Sequence, residues 1–251
     1  VTISAVDDDV AEGAHDDAIT HSSASTDAVY NSLVVGSVTI AITDDDVAGV
    51  QISVASVDVS EGGATGNYTI VLTSEPTADV IVTPTGDPQC TVSAAVTFTS
   101  ADWDTPQPVT VTAVDDDVAE VVQSCTVTHA SVSSDTNYSG IAVASVTGDI
   151  TDNDIAGVQI NVTSVDISEG GTTGIYTIVL RSEPTADVIV TPTGDLQCTV
   201  SAPLTFTSAD WDTPQPVTVT AVDDDVAEGE HNCTITNVAG GSDLTYGNMP
   251  I

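Results

Sequence analysis

The chain repeats itself. Sliding the sequence along itself gives one dominant offset of 108 residues, which superposes Val1, Val109 and Val217 at the head of VTISAVDDDVAE, VTVTAVDDDVAE and VTVTAVDDDVAE. Between 74–120 and 182–228, 44 of 47 positions are identical, the exceptions being Pro88/Leu196, Ala95/Pro203 and Val96/Leu204. In such a tandem array one unit solves the folding problem and its neighbours reuse the solution.

Each unit closes on an acidic triplet, Asp44-Asp45-Asp46 or Asp152-Asn153-Asp154, followed by the same restart, VAGVQISV or IAGVQINV. The boundaries therefore fall at 1–46, the C-terminal part of a repeat; 47–154, a complete repeat; and 155–251, a repeat lacking its last strand. A unit of this length is long enough to bury its own core. The two incomplete ends together hold 143 residues, 35 more than one unit, so end-to-end completion between copies leaves a strand or two redundant. A window cut from a longer array is the simpler reading, with donor-strand polymerisation as the alternative.

Within a unit, branched and polar residues alternate with period two at 50–57, 67–73, 79–84, 95–99, 107–113, 124–131 and 143–150. Gly, Pro, Asn and Asp occupy the turns between, as in Glu61-Gly62-Gly63 and Thr85-Gly86-Asp87-Pro88. No window shows helical periodicity. Val, Ile and Thr dominate, only nine residues are aromatic, and no apolar run approaches the roughly 18 residues of a membrane helix. The fold class expected is all-β: tandem seven-stranded antiparallel sandwiches of immunoglobulin-like type.

Cys90 and Cys125 stand 35 residues apart, and Cys198 and Cys233 repeat that spacing. Pairing within each unit is the economical reading, with two buried free thiols per unit as the alternative. The position matching Cys125 in the first copy is Asp17, so that copy lacks the bridge. A disulfide places the chain in an oxidising compartment, secreted or on a cell surface.

One basic side chain, Arg181, faces 38 carboxylates, a formal net charge of -37. Nucleic acid and anionic membranes are excluded as partners, and so much like charge opposes compaction unless cations neutralise it. The acids cluster at loop positions: Glu61, Asp115-Asp116-Asp117 with Glu120, and the terminal triplet. Calcium takes six to eight oxygen ligands in irregular geometry and suits such loops, whereas zinc needs Cys or His, and His15, His21, His129 and His231 do not cluster. Solvated turns are the alternative, and adjacent Asp residues would then repel one another without compensation.

The whole 108-residue unit resembles the Calx-beta domains of sodium/calcium exchangers and large bacterial surface proteins. The words that carry the resemblance are the VTFTSADWDTPQPVTVTAVDDDVAE type at 96–120 and 204–228 and the closing VTGDITDND and VTIAITDDD. It implies Ca2+ ligands at Glu61, Asp115, Asp116, Glu120, Asp152 and Asp154 in the second unit, with a backbone carbonyl near Val118. The equivalents are Asp7, Asp8, Glu12, Asp44 and Asp46 in the first and Glu169, Asp223, Asp224 and Glu228 in the third. Val121-Val122-Gln123 and Glu230-His231 replace acids that the family often carries next, which lowers the ligand count, and Asp87 and Asp195 are loosely aligned candidates for an extra oxygen.

No His column persists through the copies, so an enzyme is not expected. Trp103 and Trp211 read as turn-anchoring core residues, with sugar-stacking platforms as the alternative. Asn67, Asn137, Asn161 and Asn232 stand in N-x-S/T triplets that permit glycosylation. The function expected is structural: an extracellular calcium-binding fibre, filament or stalk whose partners are neighbouring repeats or other copies. An adhesin module for a glycan or a partner protein is the alternative.

Overall fold

The computed structural model describes residues 1–121, 123–227, 229–247, 249 and 251. Among them lie 18 strands and no helix. The chain divides into two compact units, Val1–Val114 with Ser124–Ile150, and Asp115–Gln123 with Thr151–Ile251.

In the first unit β1 (His15–Ile19) and β2 (Val38–Ile42) pair with each other alone, Asp17 opposite Ile40. A sandwich follows, built from β3 (Val50–Ile52), β4 (Ser56–Ser60), β5 (Gly66–Leu72), β6 (Val80–Gly86), β7 (Cys90–Val92), β8 (Val96–Phe98), β9 (Gln107–Ala113), β10 (Gln123–Ser133) and β11 (Val146–Thr151). One sheet runs β3-β5-β9-β7 and the other β4-β11-β10-β6-β8. Period-two alternation places Tyr68 and Ile70 of β5, Val80 and Val82 of β6, Val109 and Val111 of β9, and Cys125 and Val127 of β10 in one shared core. The disulfide Cys90–Cys125 joins the β7 edge of one sheet to the middle of the other. Closing a loop of 35 residues contributes on the order of 4 kcal/mol through the unfolded state.

The sandwich has nine strands where the alternation suggests seven. The run at 50–57 divides because the chain changes sheets: Ser53 N–H bonds Thr69 C=O, while the Ala55 carbonyl accepts from Thr147 N–H. The three-residue β7 is the other addition, too short to show a period.

Trp103 packs against the core and its carbonyl accepts from Leu72 N–H at 3.1 Å; Trp211 does the same with Leu180 at 3.0 Å. Both are turn anchors. Tyr138, 1% exposed, donates its hydroxyl to the Ser74 carbonyl at 2.6 Å and lies 2.8 Å from Ser74 Oγ. Asp135 holds the same corner, taking Thr77 N–H and Oγ1–H on Oδ2 and Asn137 N–H on Oδ1. The earlier copy of this corner has Tyr30 60% exposed, because the counterpart of Ser74 would fall before Val1.

The second unit contains β12 (Val158–Ile160), β13 (Gly174–Leu180), β14 (Val188–Gly194), β15 (Cys198–Val200), β16 (Leu204–Phe206), β17 (Gln215–Ala221) and β18 (Ile235–Gly241), in sheets β12-β13-β17-β15 and β16-β14-β18. All but β18 start at the offset of 108 from their counterparts, and Cys198–Cys233 repeats the bridge. Two strands of the sandwich have no counterpart. That of β11 would lie beyond Ile251, and 164–168, matching β4, forms no strand because β4 is an edge whose one neighbour is β11.

Two outcomes test this packing. Tyr138→Phe leaves the buried Ser74 groups without their partner and should destabilise the first sandwich by about 1 to 3 kcal/mol in denaturant titration. His129 Nδ1 donates to the Ala144 carbonyl (2.7 Å), so in the neutral ring Nε2 accepts from the Tyr68 hydroxyl (2.6 Å). Burial pushes His129 down, against a smaller upward effect of the Ala144 bond, and pushes Tyr68 up to about 12. Between the folded value and 6.5 the unfolded chain binds more protons, so this stability is complete above 6.5 and declines as pH falls through the folded value. His129→Asn, which copies Asn237 bonded to Tyr176 (2.8 Å), should remove that decline when melting curves at pH 7 and pH 5 are compared.

Candidate metal centre

The acidic loops begin where strands can go no further. Beyond β9 the run Asp115-Asp116-Asp117 ends the alternation, and beyond β11 so does Asp152-Asn153-Asp154. Asp152 joins the two loops: its Oδ2 accepts Glu120 N–H at 2.5 Å and its Oδ1 accepts Asp154 N–H at 2.7 Å. Asn153 Nδ2–H donates to Asp115 Oδ1 at 3.1 Å, and Asp116 Oδ1 caps Val118 N–H at 2.8 Å. Residues more than thirty positions apart are thus fixed in one cluster.

Its electrostatics are one-sided. Asp154 is pushed up by burial and then by the charges of Asp152, Asp117, Asp115 and Asp116; Glu120 is pushed up by burial and then by Asp116 and Asp152. Glu120 Oε2 is buried with no hydrogen-bond partner among the described residues. Arg181 is the one basic side chain of the whole sequence, so the protein has almost nothing of its own with which to neutralise these groups. Hard oxygen donors on loops, crowded until their protons are held, fit a divalent hard cation of calcium type.

The first copy repeats the pattern. Asp44 Oδ2 accepts Gly13 N–H at 2.6 Å and Oδ1 accepts Asp46 N–H at 3.0 Å. Those two backbone donors, Asp46 first, hold Asp44 below the usual carboxylate range, while Asp46 is pushed up by burial and by Asp44, Asp45, Asp9 and Asp7. Carboxylate oxygens of Asp44, Asp45 and Asp46 lie within 4.8 Å of one another. Asp8 caps Val10 N–H (3.1 Å), and Glu12 lies 3.7 Å from His15 Nε2.

The remaining candidates separate. Glu61 follows β4 and is 3% exposed, a depth at which an ionised carboxylate is costly without a compensating positive charge or metal. Glu169, Asp223 and Asp224 of the third copy are exposed, and Glu228 lies outside the described residues. Asp87 is not placed as a ligand: its oxygens accept Gln89 N–H (3.0 Å) and Thr126 N–H (2.7 Å), and Asp195 repeats this with Gln197 and Thr234. Sequence reasoning passed over Asp9, Asp45, Asn153 and Asp117, whose membership was signalled only by adjacency to the chosen acids.

No family model and no curated protein matches the chain. Solved structures do. One titled as CBD12 from CALX1.2 is similar with a TM-score of 0.33 and 14% identity, covering 78% of this chain and 84% of its own. The calcium binding domain CBD12 of CALX1.1 gives 0.29 and 16% over 74% and 77%, and the periplasmic chaperone SfaE gives 0.34 and 8% over 80% and 96%. These scores carry no statement about what the chain binds.

Asp154→Asn distinguishes crowded acids from solvated ones. It should raise the melting temperature in chelator, by removing a charge that its neighbours oppose, and should shrink the rise produced by millimolar calcium. Differential scanning calorimetry under both conditions reads the two signs.

Proposed function

We propose that this chain is a non-catalytic, calcium-binding tandem-repeat segment of Calx-beta type, serving as an extracellular fibre or stalk. The observation that carries the reading is the Asp152 carboxylate, which binds the Glu120 and Asp154 backbones and gathers acids from two loops into one site. Ca2+ would be held by Asp115, Asp116, Glu120, Asp152 and Asp154, with Asp7, Asp8, Glu12, Asp44 and Asp46 in the first copy. Bound there, the ion supplies positive charge that turns mutual repulsion into attraction.

The position of the acids explains how an ion would act on a fibre. The Asp117 carbonyl accepts Glu183 N–H at 2.6 Å, and 108 residues earlier the Asp9 carbonyl accepts Glu75 N–H at 2.6 Å. In each case the acidic loop of one repeat bonds the SEPTAD loop of the next. An ion that orders the loop therefore orders the junction, converting linked beads into a rod. Two disulfides support an oxidising, extracellular setting, and no helix among the described residues is long and apolar enough to cross a membrane.

Calcium binding to the folded state alone stabilises it by about 2.7 kcal/mol at a hundredfold excess over Kd. Thermal unfolding with millimolar calcium and with excess chelator, with small-angle scattering in both, tests the reading. A higher melting temperature and a longer, stiffer particle in calcium are expected. Identical melting and scattering would overturn it and leave the acids as solvated turns.

A further inference from the structure

The third repeat has an open groove where the second has a strand. In the second repeat β11 lies between β4 and β10 and buries Val146, Gly148 and Ile150. In the third, β18 is the free edge of its sheet, and a cavity of about 1160 Å³ opens between it and 162–169. Burial records the difference. Val57, Val59, Cys125 and Val127 are 9%, 2%, 0% and 0% exposed, whereas their counterparts Val165, Ile167, Cys233 and Ile235 are only partly buried. A free strand edge above an apolar floor is what strand addition requires.

The filled copy also shows what the occupant must look like. A Cβ placed on Gly148 would stand 2.7 Å from Cys125 Sγ, so a strand crossing the disulfide needs glycine at that point. Cys198–Cys233 occupies the corresponding place in the open groove. The strand that this chain leaves most exposed, β2, is the wrong one: Ile40 stands where β11 has Gly148, and it faces Asp17 in a copy with no disulfide.

We propose that the groove of the third repeat is an acceptor site for one extended strand of the pattern V-T-G-x-I-T, the closing strand of a disulfide-bearing repeat. Its valine and isoleucine fill the floor, and its glycine passes over Cys198–Cys233. A second copy docking through 38–42 is refused by Ile40. This deepens the fibre reading by naming the partner strand, and it does not depend on calcium.

The test adds a synthetic peptide of residues 145–152, SVTGDITD, to the 251-residue chain. In saturating calcium it should bind one to one by calorimetry and slow hydrogen exchange at 235–241. The same peptide with Gly148→Ile should bind about tenfold more weakly or worse, because extra methylenes in a packed site are strongly disfavoured. The double variant Cys198→Ala, Cys233→Ala should accept both peptides. No binding and no protection would overturn the acceptor site. Equal binding of the two peptides to the unmodified chain, or light scattering showing that the chain self-associates without peptide, would overturn the glycine requirement. Thermal melting without peptide reads the calcium effect separately, so the two readings can fail independently.

Discussion

Repulsion among carboxylates is the constraint against which everything else in this protein is arranged. The chain meets it in two ways. Some carboxylates are supplied with backbone donors and held low: Asp102 and Asp210 by the hydroxyl and N–H of Thr99 and Thr207, and Asp195 by Thr234 and Gln197. Asp135 and Asp243 are pushed up by burial, and the donors around them more than reverse it. These acids act as turn staples, and they stabilise the fold at neutral pH. Asp46, Glu120 and Asp154 have only burial and like charge about them and are pushed up. The division between carboxylates that the backbone satisfies and carboxylates left for a cation follows from local donor supply, not from sequence spacing.

The sandwich tolerates this charge because its cohesion lies elsewhere. Tyr138 and Tyr246 are each closed over a serine, Ser74 or Ser182, 64 residues away, and the disulfides join sheet to sheet. Such contacts link the start of a repeat to its far end. A repeat presented in part is accordingly uneven: Tyr30 carries the right residue in the right turn and still lies exposed.

The repeat, the all-β class and both disulfide pairings were legible in the sequence, since each is written as a spacing or a period. The acids of the second copy were legible as clusters, and the structure brings five of them together around Asp152. What was not legible depends on partners distant in the chain. The division of 50–57 into β3 and β4 is decided by Thr69 and Thr147, the use of Asp87 by Thr126, and the loss of a strand at 164–168 by an absent neighbour. Glu61 and Glu169 occupy the same motif, one buried and one exposed, and no local pattern separates them.

Gly148 has a consequence for how such an array comes to be folded correctly. Adjacent repeats that share nearly all their residues can exchange strands as they fold, a characteristic failure of repeat proteins. A glycine seated on a disulfide, and an isoleucine where the disulfide is missing, give each closing strand a shape matched to its own kind of repeat. One methyl-sized difference then works as a proofreading device, rejecting a mismatched swap by crowding.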